Sequence, residues 1–329
     1  MKFIARFIAL LASFAATLAP LVADAQGWPS RAVRIFVGTP AGGPGDVVSR
    51  GAAQVLGQVF DQPFVVENRV GADGMIAGEA CARSAPDGYT LCTADNYAIT
   101  VNPVIRAKMT YDPMRDLVPI FHYGYLTAAI LVHPSVPANT LRELLQLAKA
   151  KPNAITWGAY GFNSSSHFYI EWLKNANGIS FYNVPYKAAS LAFPAMLAGE
   201  VQVAIFAVGP AAQQVKAGKA RALAVTTAKR SSHMPDVPTY KEAGLDIDIG
   251  TWFGLFGPAE LPREIVNRLN AELAKGIANN PENKAKFLTS QGIEVDAPAG
   301  ASPQEFAAML TVERDRFANI AKVAKIRID

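Results

Sequence analysis

The chain has 329 residues, half of them hydrophobic and 18% charged, with a formal net charge of +4. Such a length splits into two domains, and the composition excludes disorder, coiled coil and collagen. The small, scattered basic excess gives no case for nucleic acid. The four His and two Cys have no ligand-like spacing, which excludes the usual zinc sites.

The first 25 residues read as an export signal. Lys2 and Arg6 give a basic start, and Phe7 to Val22 is almost wholly apolar. Ala23-Asp24-Ala25 then supplies small-x-small before a cut at Gln26. The apolar run is shorter than the roughly 20 residues of a membrane span. The mature chain is expected outside the cytoplasm, where a disulfide can persist. Cys81, on a predicted helix 74–85, and Cys92, on a predicted strand 89–93, are brought together by the turn Pro86-Asp87-Gly88. A disulfide between them is one reading; two buried thiols behaving as small hydrophobes is the other.

Strands and helices alternate after the signal. Val33–Val37 is a predicted strand and Gly38–Gly45 a Gly/Pro loop. Val47, Val48, Gly51, Ala52, Val55, Leu56 and Val59 then recur at helical spacing. Phe64–Glu67 is a second strand, a Gly-rich loop 71–74 opens the helix carrying Cys81, and Tyr89–Thr93 is a third strand. Further along, Ala129–Val132, Ile155–Gly158, Val201–Phe206 and Ala220–Thr226 are predicted strands. Helices are predicted over 140–150, from the loop 159–164 to about 175, and over 211–217. After Pro258 the chain is mainly helical: 263–277, 281–291 and 303–321. This order implies βαβ units, two α/β bodies with mainly parallel sheets, and a cleft between them.

No catalytic elbow, Walker loop or zinc-protease motif occurs. The loop Pro40-Ala41-Gly42-Gly43-Pro44-Gly45 lacks dinucleotide spacing, and no cofactor is expected. What the sequence does offer is anion binding by backbone: a glycine loop that admits close approach, leading into a helix with unpaired N–H groups and the positive end of the dipole. There are two such segments. The first is Thr39, Pro40, Ala41, Gly42, Gly43, Pro44, Gly45 and Asp46. The second is Tyr160, Gly161, Phe162, Asn163, Ser164, Ser165, Ser166 and His167.

Several motifs follow in fixed order: Trp28-Pro29-Ser30-Arg31, the loop 40–46, Val66-Glu67-Asn68-Arg69-Val70-Gly71-Ala72-Asp73-Gly74, Ala85-Pro86-Asp87-Gly88-Tyr89-Thr90-Leu91, Val132-His133-Pro134-Ser135-Val136-Pro137, Val184-Pro185-Tyr186-Lys187, Lys216-Ala217-Gly218-Lys219 and Pro235-Asp236-Val237-Pro238-Thr239. Together they resemble the Bug family, the periplasmic receptors of tripartite tricarboxylate transporters, over essentially the whole mature chain. The resemblance implies a two-domain periplasmic-binding-protein (Venus-flytrap) α/β fold, with residues 26–124 plus 226–329 in one domain and 125–225 in the other. It implies a monomer that captures a small organic carboxylate and hands it to a two-subunit membrane permease. It also places Tyr97, Ala188, Ala189 and Phe206 beside the two loops.

The chain departs from the family pattern in ways that bear on the ligand. Phe206 stands where an amino-group-binding Asp is frequent, which argues against an amino-acid ligand. Aromatic side chains (Tyr97, Trp157, Tyr160, Phe162, Phe206, Trp252) suit a flat or apolar body, although Trp157 is expected to pack the core. An aromatic dicarboxylate is therefore expected over aliphatic di- or tricarboxylates. A sensor for a signalling partner would bind in the same way. An exported hydrolase using Ser165 with His167 is disfavoured, because helical positions two apart do not face each other.

Overall fold

The computed structural model describes residues 27–160, 165–187, 189–247, 249–294, 300–323 and 325–326. The export segment and its cut before Gln26 lie outside them.

The elements are β1 (Val33–Val37), α1 (Pro44–Phe60), β2 (Phe64–Asn68), α2 (Met75–Ala82), β3 (Thr90–Asp95), β4 (Leu117–Leu126), β5 (Ala128–Val132), α3 (Leu141–Ala150), β6 (Thr156–Tyr160), α4 (Ser165–Asn177), β7 (Tyr182–Tyr186), α5 (Ala189–Leu197), β8 (Val203–Ala207), α6 (Val208–Lys216), β9 (Arg221–Val225), β10 (Thr251–Pro258), α7 (Arg263–Leu273), β11 (Ile293–Glu294) and α8 (Pro303–Val323). They build two sheets, ordered β11-β4-β10-β3-β1-β2 and β7-β6-β8-β5-β9.

Alternation along β1 shows why the first sheet is covered on both faces. Val33, Ile35 and Val37 pack with Val48, Ala52, Val55 and Leu56 of α1, whereas Phe36 packs with Ala77 and Cys81 of α2. All ten are at most 4% exposed, so this strand must be apolar at nearly every position. The second sheet repeats the plan. Ile130 and Val132 face the cluster of Trp157 and Leu173, while Ala129 and Leu131 face that of Phe193 and Met196.

The expectation of mainly parallel sheets is corrected: both are mixed. β1 pairs parallel with β2 and β3, and β6 with β7 and β8, but β10 and β4, and β5 with β8 and β9, run antiparallel. The cause is connectivity. The chain leaves the first sheet along β4 and enters the second along β5, then exits along β9 and returns along β10. Thr127, at the first crossing, donates its N–H to Gly292 O (2.8 Å) and accepts from Val208 N–H (3.0 Å). Thr226, at the second, accepts the Ala128 N–H on Oγ1 at 3.1 Å and donates its own to Ala128 O at 2.8 Å.

The C-terminal helix α8 ties the two bodies again. Its Phe317 meets Phe168 of α4 edge-on at 6.0 Å. One turn earlier, fully enclosed Glu313 accepts hydrogen bonds from Trp252 Nε1, from Thr100 Oγ1 (3.2 Å) and from Arg316 Nη2 (2.8 Å). No helix among the described residues is long and apolar enough to cross a membrane.

Candidate functional site

In a parallel segment, ligands bind beyond the carboxyl ends of the strands, where helix N-termini converge. Here the loops after β1, β2 and β3 meet. The ideal Cβ of Gly38 would lie 2.5 Å from Gly74 Cα, so the first loop and the start of α2 touch backbone to backbone. Only glycine allows that approach. Residues 71–74 all have positive φ, including the non-glycines Ala72 (46°) and Asp73 (53°). Such conformations cost about 1–3 kcal/mol each and persist where surrounding structure imposes them. The imposing contact is Arg106 Nη2 to Asp73 Oδ2, 2.7 Å, with Arg106 Nε held by Asn102 Oδ1 at 3.0 Å.

Behind the loops lies a cavity of about 10 Å³, the room of one water molecule. Its lining includes Gly38, Thr39, Gly45, Gly74, Thr93, Asp95 and Phe253. The Thr39 hydroxyl is buried and lacks a hydrogen-bond partner among the described residues. Asp95 closes β3 and caps the following wide helical turn, Oδ1 accepting from Ala98 N–H at 3.0 Å. Burial pushes its carboxyl up to about 6; the Ala98 N–H acts against the rise and the charge of Asp73 adds to it. A larger open groove of about 780 Å³ runs over the outer face of α1 and the edge strand β2, past Gln54, Gln58 and Gln62. It is a solvated amide-lined surface away from the helix N-termini, and no site is assigned to it.

α1 begins at Pro44, with Gly43 as its N-cap; proline at the first helical position forgoes only an N–H that has no intrahelical partner. Asp46, expected among the ligand residues, is turned into the loop itself. Its Oδ2 accepts from Gly42 N–H (3.0 Å) and Arg50 Nε (2.9 Å), and its Oδ1 from Asn68 Nδ2 (2.9 Å), which also donates to Thr39 O at 3.0 Å. Burial alone would raise the Asp46 carboxyl, but the bonds from Arg50, Gly42 and Asn68 outweigh it and hold it low. Asp46 thus fixes the loop's shape. Asp46→Ala is expected to cost about 1–2 kcal/mol in chemical unfolding and to weaken ligand binding.

On the second body, Gly161, Phe162, Asn163, Ser164 and Ala188 lie outside the described residues. Tyr160 ends β6, Ser165 opens α4 and Ala189 opens α5. Ser166 is fully buried and its Oγ accepts the Trp157 indole N–H at 3.0 Å. His167 is half-buried, with Nδ1 3.4 Å from Asn183 Nδ2. Burial pushes its imidazole down, Lys174 acts the same way, and Glu171 and Asp73 oppose it.

The aromatic surface expected at the cleft is largely core. Trp157 and Trp252 are fully buried and Tyr97 is 5% exposed. Phe206 is half-buried, stacked on Phe193 at 4.2 Å and 8°. Cys81 and Cys92 are present as fully buried thiols; burial pushes the Cys81 thiol up, and contact with Cys92 adds to this.

The sequence reasoning missed Asp73, Asp95 and Arg106. The signal for Asp95 was its place at the carboxyl end of a predicted parallel strand. Arg106 had none, since it reaches Asp73 from 33 residues away.

Two α/β bodies joined by crossing strands, with glycine loops and helix N-termini at the strand ends, form the two-domain fold of periplasmic binding proteins. Residues 48–324 match the family model described as tripartite tricarboxylate transporter family receptor, and the chain belongs to that family. Protein BugT of Bordetella pertussis is 29% identical over 96% of this chain and 97% of its own length. Among solved structures, R. palustris Rpa4515 with adipate is 30% identical with a TM-score of 0.82, covering 91% of this chain and 99% of its own. MatC from Rhodopseudomonas palustris with bound malate is 27% identical with a TM-score of 0.79, covering 89% and 99%.

Proposed function

We propose that the protein is a periplasmic receptor that captures a small dicarboxylate in the cleft and hands it to a two-subunit membrane permease, making and breaking no bond. The observation that carries this reading is the convergence of the loops after β1, β2 and β3 at the starts of α1 and α2, with the partnerless Thr39 hydroxyl beside them. A carboxylate gains there from unpaired N–H groups and the helix dipole, about 0.3–1 kcal/mol from the dipole alone. The related receptors Rpa4515 and MatC hold adipate and malate, which supports two carboxylates as the shared feature. The domains are residues 26–124 with 226–329, and 125–225. They act as a monomer that closes because the ligand binds both bodies at once.

A thermal-shift screen tests this with adipate, malate, terephthalate, citrate and glutamate. Stabilisation by the dicarboxylates is expected; stabilisation by none of them, or turnover of a bound one, would sink it. The partly exposed Phe206 favours an apolar or aromatic body. Phe206→Leu keeps the bulk against Phe193 but removes the ring. It is expected to weaken terephthalate about three- to tenfold, the worth of a ring pair, and to leave adipate unchanged in calorimetry.

A further inference from the structure

We propose that Asp95 takes up one proton when the ligand's carboxylate arrives, and meets that carboxylate as a neutral hydrogen-bond donor. This deepens the carboxylate-receptor reading and rests on it.

Among the described residues, the geometry makes Asp95 the acid at the site without a cation. Its carboxyl lines the one-water cavity together with Thr39, Gly45 and Gly74, that is, directly behind the N-terminus of α1 and the start of α2. Oδ1 is committed to the Ala98 N–H. The neighbouring elements present few charged or titratable groups. The loop before α2 presents Asp73, and its charge is already matched by Arg106 at 2.7 Å. The segment after β3 presents Tyr111, whose hydroxyl burial pushes strongly up and keeps neutral. From the second body α4 presents His167, whose imidazole burial pushes down. β1 and β10 present Thr39 and Phe253, neither of them ionisable here. No salt bridge to Asp95 occurs among the described residues.

A ligand carboxylate placed before α1 therefore brings a second negative charge beside a partly enclosed carboxylate. Two carboxylates that share one enclosed site do not both stay ionised; one of them holds a proton. The ligand's end keeps its charge, because the helix dipole and free N–H groups favour the anion. Asp95 is the group that yields, being already raised to about 6 by its enclosure. The proton comes from solvent and adds to a carboxyl oxygen of Asp95, and no other bond changes. Repulsion becomes a hydrogen bond, made directly or through one water, for which the cavity has room.

Calorimetry of full-length mature protein with adipate and with terephthalate tests this, run at pH 7.5 in two buffers of different ionisation enthalpy. Wild type is expected to take up close to one proton per ligand, and Asp95→Asn none. Between pH 7.5 and 5.5 wild-type affinity should rise roughly 20-fold more than that of the variant, which also reports the ligand's own titration. Asp95→Ser, which keeps an acceptor for Ala98 N–H, serves as a second variant should the first fail to fold. Binding without proton uptake, or equal uptake in wild type and both variants, overturns the role of Asp95 and leaves the receptor reading standing. Failure of wild type to bind any carboxylate probe at either pH overturns both.

Discussion

Glu313→Ala is expected to lose about 3–5 kcal/mol of unfolding free energy, the scale for removing one member of a buried ionic pair. Glu313 is 2% exposed on α8 and is the common acceptor for Trp252 on β10, Thr100 beyond β3 and Arg316 on its own helix. Alanine leaves the indole N–H and the hydroxyl without this acceptor, and leaves a partly enclosed guanidinium without its carboxylate. Glu313→Gln, which keeps the shape and an acceptor oxygen, should lose far less. Because α8 also carries Phe317 against α4, the alanine variant should loosen the contact between the bodies. Urea unfolding of the three proteins checks the order; an alanine variant within 1 kcal/mol of wild type would refute the role given to Glu313.

The second large effect is the acid sensitivity contributed by His122. This residue is fully buried on β4 among Tyr125, Trp252 and Phe306, with ring centroids 5.1–5.8 Å away. Neither ring nitrogen has a hydrogen-bond partner among the described residues. Burial pushes its imidazole down from 6.5 to about 3. The folded state then binds fewer protons than the unfolded state between those values, so stability falls as pH drops below 6.5. At about 1.4 kcal/mol per pH unit, the loss reaches roughly 3 kcal/mol by pH 4.5. Asp95 acts oppositely: its folded value of about 6 lies above the 3.8 of the free group, so acid stabilises the fold there by roughly 2 kcal/mol over the same span. The two partly offset each other in wild type. The His122 contribution is therefore read as a difference: His122→Phe, matched to its aromatic surroundings, should gain roughly 3 kcal/mol on wild type between pH 6.5 and 4.5. At pH 7 the variant should be at least as stable, since two buried, unpaired nitrogens are gone. A constant difference across this range would show that His122 does not titrate as its burial dictates.

Much of the framework was legible because period and punctuation are local. β1, with apolar residues at four of five positions, and α1, with its 3.6-residue spacing opened by Pro44, carry their own signals. Three of the elements that went unread contain a residue that contradicts its surroundings. β4 includes Pro119, tolerated because it sits at a register shift opposite Phe256. β7 includes Pro185 and is an edge strand, where a missing N–H costs no ladder bond. α5 carries Pro194 inside a helix.

The sequence by itself determined the family, the alternation of elements and the two glycine loops, because these follow from chain-local sterics and from motifs in fixed order. Only the tertiary structure decided which side chains those loops share. An apolar ring reads the same whether it packs a core, as Trp252 does, or lines a cleft. A carboxylate reads the same whether it staples a loop, as Asp46 does, or stands uncompensated beside a cavity, as Asp95 does. The difference lies in burial and in partners such as Arg106 and Asn68, which are brought from distant parts of the chain by packing; desolvation and Coulomb energy act through space, not along the sequence.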